Sequence, residues 1–381
     1  ITSVKDNKEN ELLHNNVKDF PDVITVELQT PLLPNQSYDI TLTYDVVLPD
    51  DNFTGYGISP DKDFNLKYWY ITPAVYNGKW QYYSNKNLDD LYIPKADITI
   101  QIEFPINYQL ISELNTLDIK QNRDKQTFYL HGKDRVNTNL ILKKFTNFKF
   151  VQTDDFTIYS DVTSEGITAE EKAIITDKIT RFITENLGEY PHERLLITKD
   201  GYKKDPLYGL NQLPDFIRPF SDNFQYELKL LKTALNNYLE NTLLINPRKD
   251  YWLRDGIQIY FLMKYIETYY PDTKMIGTLA NIWGIRAFHA ADLDYNDQFT
   301  LFFMEMARTN RDQPLTTSKD SLLKFNANIA GKYKAGIGLR YLDDFVNSSI
   351  IETTIYDYLK TNQLQITNST VFENLIKSKT S

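Results

Sequence analysis

With 381 residues, no cysteine and a formal net charge of −9, the chain has room for two or three domains with sizeable cores. Disulfides, thiolate metal sites and cysteine nucleophiles are excluded. An acidic balance without a cluster of Lys and Arg argues against a general nucleic-acid binder, but leaves a cationic peptide acceptable as a partner. Ile1 is expected to open a mature or excised portion. Neither a signal peptide nor an apolar run of membrane-spanning length is visible.

From about residue 23 to 153 the hydrophobic pattern has period two. In SYDITLTYDVVLP the apolar Tyr38, Ile40, Leu42, Tyr44 and Val46 alternate with Asp39, Thr41, Thr43 and Asp45, which predicts a half-buried antiparallel strand. ADITIQIEFP and FYLHG repeat the alternation between turns rich in Pro, Asn, Asp and Gly. An N-terminal antiparallel β domain, 1–153, is therefore expected. Within it the segment Lys67–Tyr83, KYWYITPAVYNGKWQYY, reads either as sheet packing or as an exposed aromatic binding surface, for which a carbohydrate is one ligand class.

Beyond FTIYSDV the period changes. TAEEKAIITDKITRFITENLG has Thr168 as a cap, acids in its first turn and a closing Gly188, all helix signals. Further helices are expected near 224–243, 255–270, 273–289, 295–309 and 318–331, with two more beyond Gly336. This gives a mainly helical second domain, 154–381, and an α+β chain overall. The stretch Asp292, Asp294, Asn296 has the opening of a calcium loop but lacks its glycine and its closing acid, so a solvated capping turn is expected. His192 is expected to be structural.

Three ordered landmarks resemble the gluzincin aminopeptidases of the membrane-alanyl and leukotriene-hydrolase type. The first is YGLNQLP, Tyr208–Pro214, where the family carries Y-G-G-M-E-N-P and its glutamate holds the substrate's α-amino group. Gln212 stands there, keeping an acceptor oxygen without the charge, and Leu213 replaces the asparagine. The second is the metal helix, H-E-x-x-H followed about 18 residues later by the glutamate of W-L-N-E-G. The resemblance puts Leu231 and Leu235 at the two histidines, Lys232 at the general base and Asp255 of WLRDG at the distant acid, one residue beyond the usual spacing. The third is KYKAGIGLRYL, where Tyr333 and Gly336 match the tyrosine and glycine of Y-x-K-G and Ala335 replaces its lysine. In the family that tyrosine stabilises the oxyanion.

The resemblance implies a β-sandwich-like domain followed by a thermolysin-like domain with a small sheet, without the larger helical domain that follows in many relatives. It also implies lost chemistry. Leucine offers no lone pair, and an ammonium repels a divalent cation and cannot serve as base, so zinc is not expected and no catalytic residue is assigned. Gln212, Leu231, Lys232, Leu235, Asp255 and Tyr333 are instead expected as degenerate active-site positions or cleft contacts. The chain is similar to catalytically silent peptidase-like modules of bacterial cell envelopes. That likeness implies a peptide or protein partner, an extracytoplasmic location and a possible membrane-associated complex reached through segments outside this chain. The alternative is an active metallo-aminopeptidase or other hydrolase with a centre rebuilt around Asp255, Tyr333 and His289.

Overall fold

A computed structural model describes residues 1–83, 90–213, 219–284, 286, 289–346 and 349–380. An N-terminal antiparallel β region is followed by a mainly helical one. The chain divides into two compact units, Ile1–Pro94 and Lys95–Ser381. The sequence boundary at 153 follows the change of hydrophobic period, whereas contacts group the strands from residue 95 onwards with the helices. Glu113 supplies a reason for that grouping. Buried at 5% exposure, it accepts the Leu196 backbone N–H at 2.9 Å, and the Arg194 guanidinium reaches Asn115 Oδ1 at 3.4 Å.

The first unit is built from short antiparallel pairs. Ser3–Asp6 pairs with Ile40–Thr43, His14–Val17 with Phe20–Val26, and Gly57–Ile58 with Phe64–Leu66. Val75–Asn77 returns as Lys79–Gln81 around Gly78, whose φ of +70° suits a residue without Cβ. The strand read from SYDITLTYDVVLP is only four residues long, and Ile40 and Val46 are 38% and 46% exposed. Alternation marked the strand, but a two-stranded pair gives it little to pack against.

In the second unit Ala96–Pro105, Lys125–Arg135 and Asn115–Gln121 form a three-stranded antiparallel sheet. Ile100 and Phe104 point into the core while Asp97, Thr99, Gln101 and Glu103 face outwards, as alternation requires. Thr157–Ser160 and Arg194–Ile197 run parallel and are joined by the helix Ala169–Leu187, the crossover that parallel strands need. That helix starts on a reciprocal capping box between Thr168 and Glu171 and stops at Gly188, φ +101°.

The core lies between this sheet and the helices Asp222–Thr242, Tyr251–Tyr269, Gly331–Val346 and Ile350–Asn362. Two small residues let the second and third of these approach closely. Gly256 faces Ala335, and a Cβ on Gly336 would stand 2.5 Å from Ile259 Cγ2. No described helix is long and apolar enough to cross a membrane.

Two expected helices are not formed as read. Over the described part of 273–289 there is a 3-10 turn, Gly277–Asn281, and a bridge from Lys274 to Asp294. Gly277 breaks the helix: its φ is +55° and a Cβ would fall 2.0 Å from the Pro219 carbonyl oxygen. Residues 285, 287 and 288 lie outside the described set. Over 318–331 the chain makes a short 3-10 turn, Lys319–Ser321, and then a π-helical turn, Asn326–Ala330, that runs into Gly331–Val346. Asn326 Nδ2 holds that turn open by donating to Arg311 O and Gln313 Oε1, both at 2.8 Å; such turns recur at functional sites.

Candidate functional site

The helix Asp222–Thr242 starts at Ser221, whose hydroxyl accepts the Phe224 N–H. Its residues Leu231 and Leu235, one turn apart, are wholly buried in the main core. One residue on, a rotation of about 100° carries Lys232 and Asn236 to a different face of the helix. Lys232 is buried at 3% exposure yet charged, so it must find partners.

Those partners come from two other segments. The Lys232 ammonium donates to Asp205 Oδ2 at 2.6 Å and to the Asp205 carbonyl at 2.5 Å. Asp205 caps the short helix Lys199–Lys204 and also receives Lys332 Nζ at 2.9 Å. Asp255, 5% exposed on the helix Tyr251–Tyr269, adds a second carboxylate to the field of both lysines. One turn further on, Gln258 Nε2 donates to the Lys232 carbonyl at 2.9 Å, which fixes the two helices against each other. Two ammoniums and two carboxylates thus sum to no net charge.

The titration of the group follows from this arrangement. Burial alone would raise the Asp205 carboxyl, but the Lys232 and Lys332 ammoniums together hold it well below the usual carboxylate range. Burial pulls the Lys232 ammonium below the ordinary lysine value, against the opposing charge of Asp205. Burial acts on Lys332 in the same sense, but there Asp205 and Asp255 outweigh it and the ammonium is strengthened. Beside them, burial pushes the Tyr202 hydroxyl up to about 12.

Tyr333 stands in the first turn of Gly331–Val346, 3% exposed, with its ring edge-on to Phe299 at 4.9 Å. Burial raises its hydroxyl above the ordinary tyrosine range, and the Tyr208 backbone opposes this by bonding to it. Gln212 ends the 3-10 turn Leu210–Gln212 and is exposed; Pro214 of the same landmark lies outside the described residues. His289 is fully exposed, with Asp292 at 3.9 Å, whereas Asp255 and Tyr333 are buried. Asp294 takes Lys274 Nζ at 2.7 Å, and Asn296 turns its amide to Met263 O at 3.0 Å instead of capping the helix that follows it. His192, which packs edge-on to Tyr190 at 5.4 Å, is lowered by burial to about 4.

The donor set decides whether zinc fits. A catalytic zinc site needs three deprotonated nitrogen, sulfur or oxygen ligands around an open position. Here two ammoniums share the carboxylates, and no group of three His, Cys, Asp or Glu side chains suited to one ion is found among the described residues. The residues present do not fit the metal.

No protein-family model and no curated protein matches the sequence. Solved structures do. The M1 zinc metallopeptidase of Deinococcus radiodurans superposes with a TM-score of 0.61 at 14% identity, covering 99% of this chain and 80% of that one. A variant of the same enzyme bound to a Tyr-Ser-Ala substrate gives 0.63 at 13% identity, with the same coverage. The chain has the M1 metallopeptidase fold. The likeness extends to the fold and not, at this identity, to the reaction.

Sequence reading reached Lys232, Asp255 and Tyr333 but missed Asp205 and Lys332. Lys332 adjoins Tyr333, and Asp205 precedes the Tyr208 landmark by three residues. A charge beside each landmark was the available signal, though nothing in the sequence pairs the two.

Proposed function

We propose that this chain is a non-catalytic module on the M1 metallopeptidase fold, which binds a peptide or protein partner and works without zinc. The observation that carries this reading is the Lys232–Asp205–Lys332 ion cluster beside Asp255. An ammonium there does the electrostatic work of a cation, neutralising the carboxylates, while offering no Lewis acidity and no site for a bound water.

The cluster also favours a one-residue shift in the motif. Lys232 and Asn236 lie four apart, and eighteen residues separate Asn236 from Asp255, the family spacing for two histidines and the distant acid. On this register Lys232 and Asn236 replace the imidazoles and Thr233 replaces the general base. Leu231 and Leu235 are then ordinary core residues, in keeping with their complete burial. Either register leaves no base and at most one carboxylate ligand. The exposed Gln212 would serve as a contact to a bound peptide, with the buried Tyr333 supporting the site from beneath, and a cell-envelope setting outside the cytoplasm belongs to the same proposal.

The test is metal content and hydrolysis together. Protein purified without chelator should carry far less than one zinc per chain and should release nothing from aminoacyl fluorogenic substrates. One zinc per chain with chelator-sensitive hydrolysis would overturn the reading.

A further inference from the structure

The first unit holds an aromatic cleft of about 430 Å³, lined in part by Tyr68, Trp69, Tyr82 and Leu91. The feature that specifies its own partner lies instead in the second unit, at the edge of a sheet. There Lys125–Arg135 lies between Asn115–Gln121 and Ala96–Pro105, so each outer strand has one side without a neighbouring strand among the described residues. A free edge presents backbone N–H and C=O groups to any strand that can align with them.

Asn115–Gln121, NTLDIKQ, is exposed from Thr116 to Gln121. Leu117 and Ile119 are apolar yet 65% and 45% exposed. Asp118 and Lys120 carry opposite charges and, two residues apart, share one face of the strand. On that face the Lys120 ammonium stands 4.9 Å from the Tyr129 ring centre. The Ile119 backbone N–H, between the two charges, is held by the Asp118 carboxylate at 2.8 Å, a local bond that a neighbouring strand would replace. The ladder to the inner strand shifts register between Thr116 and Asp118, so the regular edge begins at Asp118.

That edge is complementary to itself. Two copies of an edge strand pair antiparallel about a two-fold axis, and the axis must pass at one residue if facing side chains are to lie on the same side of the sheet. At Asp118 it would set two aspartates opposite each other, and at Lys120 two lysines. At Ile119 it sets Asp118 opposite the partner's Lys120 and Lys120 opposite the partner's Asp118, while the two Ile119 side chains meet on the other face. Opposite charges directly across a strand pair are favourable and like charges unfavourable. The other outer strand, ADITIQIEFP, has Asp97 and Glu103 but no Lys or Arg, so no antiparallel self-register pairs opposite charges there. We propose that Asn115–Gln121 is a homodimer edge, where a second copy of this chain pairs antiparallel across a two-fold axis at Ile119 and joins two three-stranded sheets into one.

The test is sedimentation velocity of the full chain at rising concentration. The chain should pass from monomer to dimer, and weakly, because an edge-to-edge contact buries less surface than a standard interface. Asp118→Lys and Lys120→Asp, each at an exposed position, set like charges opposite each other at two places. Each should raise the dissociation constant about tenfold or more. Mixed in equal amounts, the two variants should recover the dimer, since every lysine then faces an aspartate, and that recovery also shows both variants to be folded. The proposal is overturned if the parent chain stays monomeric up to about 1 mM, if either variant alone dimerises as tightly as the parent chain, or if the mixture dimerises no better than its components.

Discussion

The ion cluster of the second unit and the aromatic cleft of the first differ in how far their side chains are closed off from solvent. In the cluster, the Lys232 and Lys332 ammoniums both bond to the Asp205 carboxylate. In the cleft, side chains stand open instead: Tyr82, Ile71 and Leu91 are 38%, 39% and 47% exposed. A group of charges that is complete without a ligand is a structural element, and removing one member should cost stability. Side chains that stand open to solvent carry less of the fold and should cost little to alter.

The largest effect expected from this contrast is at Lys232. Lys232→Ala strips a buried ammonium from its carboxylate and opens a cavity, so urea denaturation should show a loss of about 3–5 kcal/mol. Asp205→Asn leaves two ammoniums facing each other and should cost a similar amount. A loss below about 1 kcal/mol in both would mean that the cluster is solvated and the comparison fails. Trp69→Phe and Asp45→Ala, by contrast, should each change stability by less than about 1 kcal/mol.

A smaller loss is expected where helices touch. Gly336→Ala places a methyl against Ile259 and the Tyr260 backbone N, at 2.5 and 3.2 Å, and should cost about 1–3 kcal/mol. Gly338→Ala, on the same helix with nothing near its added Cβ, should be neutral or slightly stabilising.

Two pH effects sharpen the account further. The folded Asp205 carboxyl lies below its unfolded value near 3.8, so the stability that it contributes is complete above that pH and is lost as pH falls through it towards the folded value. Asp205→Asn should flatten the denaturation midpoint against pH in this acidic range. His192 falls from 6.5 to about 4 on folding. The unfolded chain then takes up a proton that the folded chain refuses, so stability should drop between about pH 6.5 and 4 as pH is lowered. Solvent screening at this part-exposed ring reduces the effect to about 1–2 kcal/mol, and His192→Phe should abolish it.

The sequence made local order legible and distant pairing obscure. Thr168, Glu171 and Gly188 fixed a helix because caps act within a few residues, and alternation found Ala96–Pro105 because a strand repeats every two. The 273–289 helix was misread because Gly277 owes its left-handed turn to the Pro219 carbonyl, a contact outside its own segment. The same holds at the site: Asp205 meets Lys232 across 27 residues of sequence, and no local rule links them. Leu231 and Leu235 match an apolar stripe, and the register that we propose lies one residue further on. The spacing of Asn236 to Asp255 and the burial of Lys232 beside Asp205 both support that register.

The most direct measurement is a calorimetric zinc titration of the parent chain and of two variants, Lys232→His with Asn236→His and Leu231→His with Leu235→His. The parent chain should take up no zinc. The first variant, with Asp255 completing its ligands, should bind one ion, and the second should bind none. One zinc bound tightly by the parent chain would contradict the account.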